Sequence, residues 1–247
     1  MDLQLSGKRA LVTGAGRGIG KAVAVRLAQE GARVALLARS RDDLEAVGAE
    51  LPGESLVVPA DTTDDAAVRA AVAAVVQAWG GVDVLVNAAA RPASTAPVPA
   101  LADLPDDALR DEVETKVLGY LRTARAAAPH MVAQGWGRIV NVSGLNARAT
   151  GNLVGTVRNV AVAAMTANLA EELGPSGVNV TVVHPGRTVT ERTPADVAAG
   201  PAATRIGRLV TAAEVADVVA FLCSPRSVAI TGDAVAVGGG TPGVAVY

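Results

Sequence analysis

The segment from Arg9 to Gln29 constrains this chain more than any other. An apolar run from Arg9 to Val12 breaks into TGAGRGIG (Thr13 to Gly20), and Ile19 to Gln29 then follows a helical pattern. Strand, glycine turn and helix in that order make a cradle for a dinucleotide. Gly14 lets the chain turn tightly, Gly18 lets backbone approach a pyrophosphate, and Gly20 lets helix and strand pack closely. The helix start adds unpaired N–H groups and a partial positive charge that favour an anion.

The rest of the chain continues the alternation. Apolar runs at Val34–Ala38, Ser55–Pro59, Val82–Asn87, Arg138–Ser143, Val178–Val183 and Ala234–Val237 predict strands buried on both faces, with helical patterns between them. The expected fold is α/β: one doubly wound parallel sheet of about seven strands with helices on both faces. No repeat, charge run or change of composition divides the 247 residues, so they are read as one domain. Arg91–Pro105 predicts a surface loop before a long helix starting near Asp106. A second irregular stretch, Pro194–Arg208, falls beyond a strand's C-terminal edge, where such sheets bind ligands.

Composition excludes several classes. Half the residues are apolar and the formal charge is −2, so nucleic acid and anionic membrane surfaces are not expected partners. No stretch is expected to reach the roughly 20 apolar residues of a membrane span, nor do the first 30 resemble a leader, and a cytoplasmic location is expected. Two His and one Cys leave no metal-ligand cluster. Cys223, at the end of an apolar helix, is expected to be a buried thiol.

Motifs along almost the whole chain resemble the short-chain dehydrogenase/reductase family, and the 3-oxoacyl-reductase-like members in particular. They are TGAGRGIG, Asp61 in PADTTD, VNAAA at Val86–Ala90, GRIVNVSG at Gly137–Gly144, HPGRTVT at His184–Thr190, GRLVTAAEVADVVAFLCS and the closing ITGDAVAVGGG. The resemblance implies a cofactor site of Gly14, Arg17, Gly18, Ile19, Gly20, Arg39, Asp61, Asn87, Ala88, Ala89, Asn159, Pro185, Gly186 and Thr190. Within it, Asp61 would touch the adenine, the Asn87 region the ribose side, and Thr190 the nicotinamide carboxamide. Charge selects the cofactor. Where NAD-specific relatives carry an acid at the end of the second strand, this chain has Ala38 followed by Arg39, and Arg17 sits in the glycine turn. Two guanidiniums without an acid favour a 2′-phosphate, hence NADP(H).

The family's proton relay is another matter. It uses a Tyr acid, a Lys that lowers the Tyr pKa, a Ser that shares the substrate carbonyl and an Asn that anchors a water chain. Counting back from His184-Pro185-Gly186 sets the Tyr against Gly155 and the Lys against Asn159. The Ser falls on Gly144, one place after Ser143, and the Asn on Lys116. Counting forward from Gly144 gives Val157 and Ala161 instead. The lysines are Lys8, Lys21 and Lys116 and the tyrosines Tyr120 and Tyr247, so no Tyr-x-x-x-Lys unit exists in either register.

Replacement groups are few. Lys116 and Ser143 are the catalytic candidates. Lys116 shares a helix face with Tyr120; the pair would serve as acid and base if that face met the nicotinamide, but Lys116 is expected to reach solvent while Tyr120 packs between helices. Ser143 would donate to a substrate oxygen or satisfy backbone groups. His184 is expected to be structural. Arg148 and Arg158 would hold an anionic substrate or remain surface charges. Tyr247 would enter a partner's site or pack on a dimer surface.

Three functions are compatible with this pattern. One is an atypical NADPH-dependent oxidoreductase acting on an activated carbonyl or iminium. Another is a catalytically inactive subunit in a mixed oligomer with an active reductase, and the last is a non-redox cyclase or isomerase. A homo-oligomer, dimer or tetramer, is the other expected assembly; the resemblance implies that it is joined through the helices at Asp106–Gln134 and Asn152–Gly174 and through the C-terminal strand region.

Overall fold

A computed structural model describes residues 1–91, 98–200 and 202–241. The sheet strands are β1 (Arg9–Thr13), β2 (Arg33–Leu37), β3 (Ser55–Val57), β4 (Val84–Asn87), β5 (Gly137–Val142), β6 (Val178–Pro185) and, after two shorter strands, β9 (Ala234–Val237). All run parallel in the order β3-β2-β1-β4-β5-β6-β9. The short strands β7 (Thr188–Val189) and β8 (Val210–Thr211) pair with each other away from the main sheet. Two-residue strands carry no alternation for a sequence pattern to register.

Successive strand residues face opposite layers, and the helices divide accordingly. Val12, Val34, Val86, Val140 and Val183 pack against α1 (Gly18–Gln29), α2 (Arg41–Glu50) and α8 (Ala212–Cys223) through Val23, Leu27, Leu44, Val215 and Val219. Leu11, Ala35, Leu85, Ile139 and Val180 pack against α3 (Asp65–Trp79), α5 (Gly119–Gln134) and α6 (Leu153–Leu173) through Val72, Val75, Ala127, Met131 and Leu173. Each fully buried Leu or Val contributes roughly 1.5–3 kcal/mol relative to exposure, which fixes the register of the central strands. The edges are the exception: β3 and β9 are only partly buried, because each lacks a neighbour on one side. Side-chain caps start the helices. Asp64 accepts from Ala66 and Ala67 at α3, Asn152 from Gly155 at α6, and Thr211 with Glu214 forms a reciprocal box at α8.

Two expectations are corrected here. The helix starting at Asp106 is not continuous: α4 (Asp106–Glu112) runs into a π-helical turn, Val113–Leu118, before α5. An i→i+5 turn inserts a residue into the helical register and rotates the side chains beyond it, so Lys116 points inward and is 4% exposed rather than reaching solvent. Secondly, α6 with the turn after it, Leu153–Ser176, has 24 residues and a mean hydropathy of 1.2, enough by length and composition to cross a membrane. Here it packs along β6 and carries a second, outward apolar stripe that includes Leu153, Val157 and Val160. The short helix α7 (Ala195–Ala199) lies in the segment beyond β7. Tyr247 falls outside the described residues.

Candidate functional site

The strand order reverses between β1 and β4, and the crevice at their C-terminal ends is where a doubly wound sheet takes its ligand. The glycine turn lies there. Gly14 has φ +68°, and a β-carbon on it would come within 2.8 Å of the Ala88 carbonyl oxygen. A β-carbon on Gly20 would overlap the Gly14 carbonyl oxygen, so α1 can lie this close to β1 only with glycine at that position. The Thr13 hydroxyl accepts from the N–H groups of both Ala88 and Ala89 at 3.1 Å, tying the ends of β1 and β4 together.

Arg17 caps α1 without a side-chain hydrogen bond, so the helix start faces the crevice with open N–H groups. One of them is taken by the protein itself. Gly18 N–H donates to Glu191 Oε1 at 2.9 Å, a carboxylate in the place where the cradle would hold a phosphate. Thr190, next to it, has its methyl 3.8 Å from where a Gly18 β-carbon would stand, so the segment after β7 lies over the glycine turn. Sequence reasoning missed Glu191; its position beside Thr190 was the available signal.

The other cofactor candidates divide into two groups. Arg17 and Arg39 are exposed and have no ion-pair partner among the described residues. Asp43 stands against the glycine turn, with a carboxyl oxygen 3.8 Å from the β-carbon position of Gly16. Asp61 Oδ1 accepts from Thr63 N–H and Oγ1, both at 2.9 Å. Ile19 is half-buried at the start of α1. Pro185 ends β6, and Gly186 N–H donates to Val237 O at 3.1 Å, locking this turn to β9. The Asn87 side chain is fully buried, donating to Asn141 Oδ1 and accepting from Thr123 Oγ1, so it braces β4 against β5 and α5.

The positions expected for the relay come together between the π turn, β5 and α6. Lys116 Nζ donates to Ser143 O at 2.9 Å and to Asn159 Oδ1 at 3.3 Å. Burial, and secondarily the Arg158 charge, lowers its pKa to about 7, while Glu112 opposes the shift. One ammonium thus meets one amide oxygen between the π turn and α6.

Ser143 is not directed at the crevice: its hydroxyl donates to Asn159 O at 3.1 Å, the backbone role foreseen as its alternative. A β-carbon on Gly144 would stand 2.9 Å from Asn159 Nδ2, and one on Gly155 would stand 2.9 Å from Asn146 Nδ2 and 3.0 Å from Asn152 Cγ. Asparagine side chains thus fill the space around both positions. Tyr120 packs between helices as expected, donates to Val142 O at 2.9 Å, and has its pKa pushed up by burial.

Remaining candidates are settled by their partners. His184 is 2% exposed with Nδ1 unpartnered, and burial, then the Arg148 and Lys116 charges, lowers its pKa to about 4. Arg158 is largely buried against Glu112 at 2.5 Å and so is neither a free anion site nor a surface charge. Arg148 is exposed and donates to Ala234 O at 3.2 Å. Cys223 is buried, and burial raises its pKa. No cluster of metal-ligating side chains occurs among the described residues.

A parallel sheet with its glycine turn at the order reversal defines a dinucleotide-binding α/β protein. The sequence profile of the short chain dehydrogenase family matches residues 8–199. The short-chain reductase protein NovJ of Streptomyces niveus is 36% identical over 94% of this chain and 93% of its own. The 3-oxoacyl-[acyl-carrier-protein] reductase FabG of Vibrio cholerae is 34% identical over 96% and 98%. L-sorbose reductase from Gluconobacter frateurii, solved with NADPH and L-sorbose, superposes with a TM-score of 0.87 at 28% identity, covering 99% of this chain and 100% of that one. The chain belongs to the short chain dehydrogenase family, an oxidoreductase family that uses nicotinamide cofactors.

Proposed function

We propose that this protein is an NADP(H)-dependent oxidoreductase that acts on an electrophile already activated, an iminium or a polarised carbonyl, without a tyrosine acid of its own. One contrast carries the reading. The glycine cradle is complete in every close approach, while asparagines crowd positions 144 and 155 and the one nearby ammonium is buried beneath them. The 2′-phosphate is assigned to Arg17 and Arg39, the pyrophosphate to the glycine turn, and the carboxamide to Thr190. Bound there, the nicotinamide supplies a hydride. Lys116 holds Asn159 and the Ser143 carbonyl in place, so its role is positioning. An iminium needs no proton donor, which suits a reacting position whose neighbours at 144 and 155 are asparagines.

A second reading is supported by the outward stripe on α6. Leu153, Val157 and Val160 are 43–48% exposed and recur at helical spacing, and such a face fits association with a like helix. A copy of this chain or a related reductase would cover it, and in the latter case this chain holds cofactor while its partner supplies the acid.

Rapid mixing of the purified protein with NADPH and 1-pyrroline at a pH where the imine is protonated tests the choice. Oxidation of NADPH with the iminium, and none with acetone, is the result expected. Saturable NADPH binding without oxidation by either, together with recovery of activity on adding a related reductase, would replace the first reading with the second.

A further inference from the structure

We propose that the cavity beside position 155 receives an anionic substrate, a carboxylate or phosphate ester, whose reacting carbonyl rests at Asn146. This deepens the oxidoreductase reading and names its substrate class. The cavity is about 870 Å³ and lies between the turn Leu145–Arg148 and the glycine turn beyond β9. Its lining, among the described residues, includes two guanidiniums, Arg148 and Arg205, and no carboxylate. Asn146, Thr150 and Thr241 complete its polar wall.

The two arginines are held rather than loose. Arg148 Nη2 donates to Ala234 O at 3.2 Å, and Arg205 Nε donates to Thr241 O at 3.2 Å. One bond to a carbonyl fixes a guanidinium and leaves Arg148 with N–H donors for a carboxylate or phosphate. The exposed Arg148 guanidinium on this concave wall favours an anion there. Arg148 also acts on the interior, since its charge contributes to holding His184 neutral. Arg158, the other arginine near the altered loop, is neutralised by Glu112 and has no place in the site.

Asn146 joins this wall to the reacting position. Its Nδ2 lies 2.9 Å from where the side chain of residue 155 would begin, and no described group bonds it. It can therefore donate to a substrate oxygen near the place from which the family's tyrosine would extend. A neutral amide strengthens its bond as that oxygen gains negative charge, and it does not lose its proton. Reduction of a carbonyl then balances with a hydride from NADP(H) and a proton from water, Asn146 being unchanged.

Calorimetric titration with acetoacetate, methyl acetoacetate and inorganic phosphate tests the assignment. Acetoacetate should bind saturably and at least about tenfold more tightly than its uncharged ester. Phosphate should compete if the site reads charge alone, and fail to compete if it reads a carboxylate. Arg148→Ala should abolish the preference, and Arg148→Lys should restore most of it, which separates charge from folding. Binding of neither compound, or equal binding of both, would overturn the proposal. An NADPH titration of the same samples separates the two readings. Discrimination between acid and ester without NADPH binding would sink only the cofactor reading, whereas NADPH binding without discrimination would sink only this one.

Discussion

Replacing Lys116 by Met should remove a specific part of the protein's pH-dependent stability. Lys116 is 4% exposed, and burial lowers its pKa from 10.5 to about 7. Between these values the unfolded chain binds a proton that the folded chain has released, so stability rises with pH across that window. At about 1.4 kcal/mol per pH unit, and with half of the folded population still protonated near pH 7, the rise from pH 7 to pH 9 is about 2 kcal/mol. Methionine has similar length and no charge, so Lys116→Met should lack this component. It should also carry a pH-independent cost from the unpaired Ser143 O and Asn159 Oδ1, about 1–3 kcal/mol for each buried acceptor. Urea unfolding followed by the fluorescence of Trp79 and Trp136 at pH 7, 8 and 9 provides the comparison. Taking the difference between the two proteins cancels every other titrating group. A wild-type advantage that grows by about 2 kcal/mol from pH 7 to 9 is expected; a difference flat with pH would show that Lys116 is not desolvated as described.

The cradle and the interior give further expected outcomes. Glu191→Gln should tighten NADPH about tenfold in a fluorescence titration, because a carboxylate no longer competes for the Gly18 N–H; an unchanged dissociation constant would mean that the contact does not persist in solution. Arg39→Ala should weaken NADPH by about tenfold and leave NADH nearly unaffected, whereas equal losses would remove Arg39 from phosphate recognition. Gly20→Ala, which would drive a methyl into the Gly14 carbonyl, should cost about 1–3 kcal/mol in denaturant unfolding; a neutral result would contradict the close packing of α1 on β1. His184 has a folded pKa below its unfolded value of 6.5, at about 4, so the folded state binds fewer protons in that window. Stability should therefore fall as pH drops from 6.5 towards 4, and His184→Gln should flatten that limb of a thermal-melting profile; an unchanged slope would show that His184 does not titrate with unfolding.

The sheet was legible because its signals are local. Arg9–Gln29 announces strand, turn and helix within one segment, and the Val- and Ile-rich runs of β4, β5 and β6 read as strands covered on both sides. The partial exposure of β3 and β9 was not legible, since strand order depends on pairing between distant segments. In the site, the residue types were readable and their directions were not. Lys116 looked like a solvent-facing helix residue because helical periodicity assumes i→i+4 bonding, and the π turn at Val113–Leu118 breaks that assumption. Asn87 matched a motif, but its buried bonds to Asn141 and Thr123 appear only once β4, β5 and α5 are assembled. The meeting of Lys116 with Asn159, 43 residues later in the chain, likewise needs the packed helices. Glu191 on Gly18 spans 173 residues, beyond the reach of any spacing rule. The apolar length of α6 reads alike for a membrane span and for a helix with one face on a sheet and a second apolar stripe exposed.

We propose that the cradle binds NADP(H) although asparagines surround positions 144 and 155. Fluorescence titration of the purified protein with NADPH, with NADH as the comparison, tests it most directly. Saturable binding in the micromolar range with a clear preference for NADPH is the predicted result. Absence of binding would mean that the glycine turn has lost its ligand, and equal affinity for the two nucleotides would remove Arg17 and Arg39 from the account of specificity.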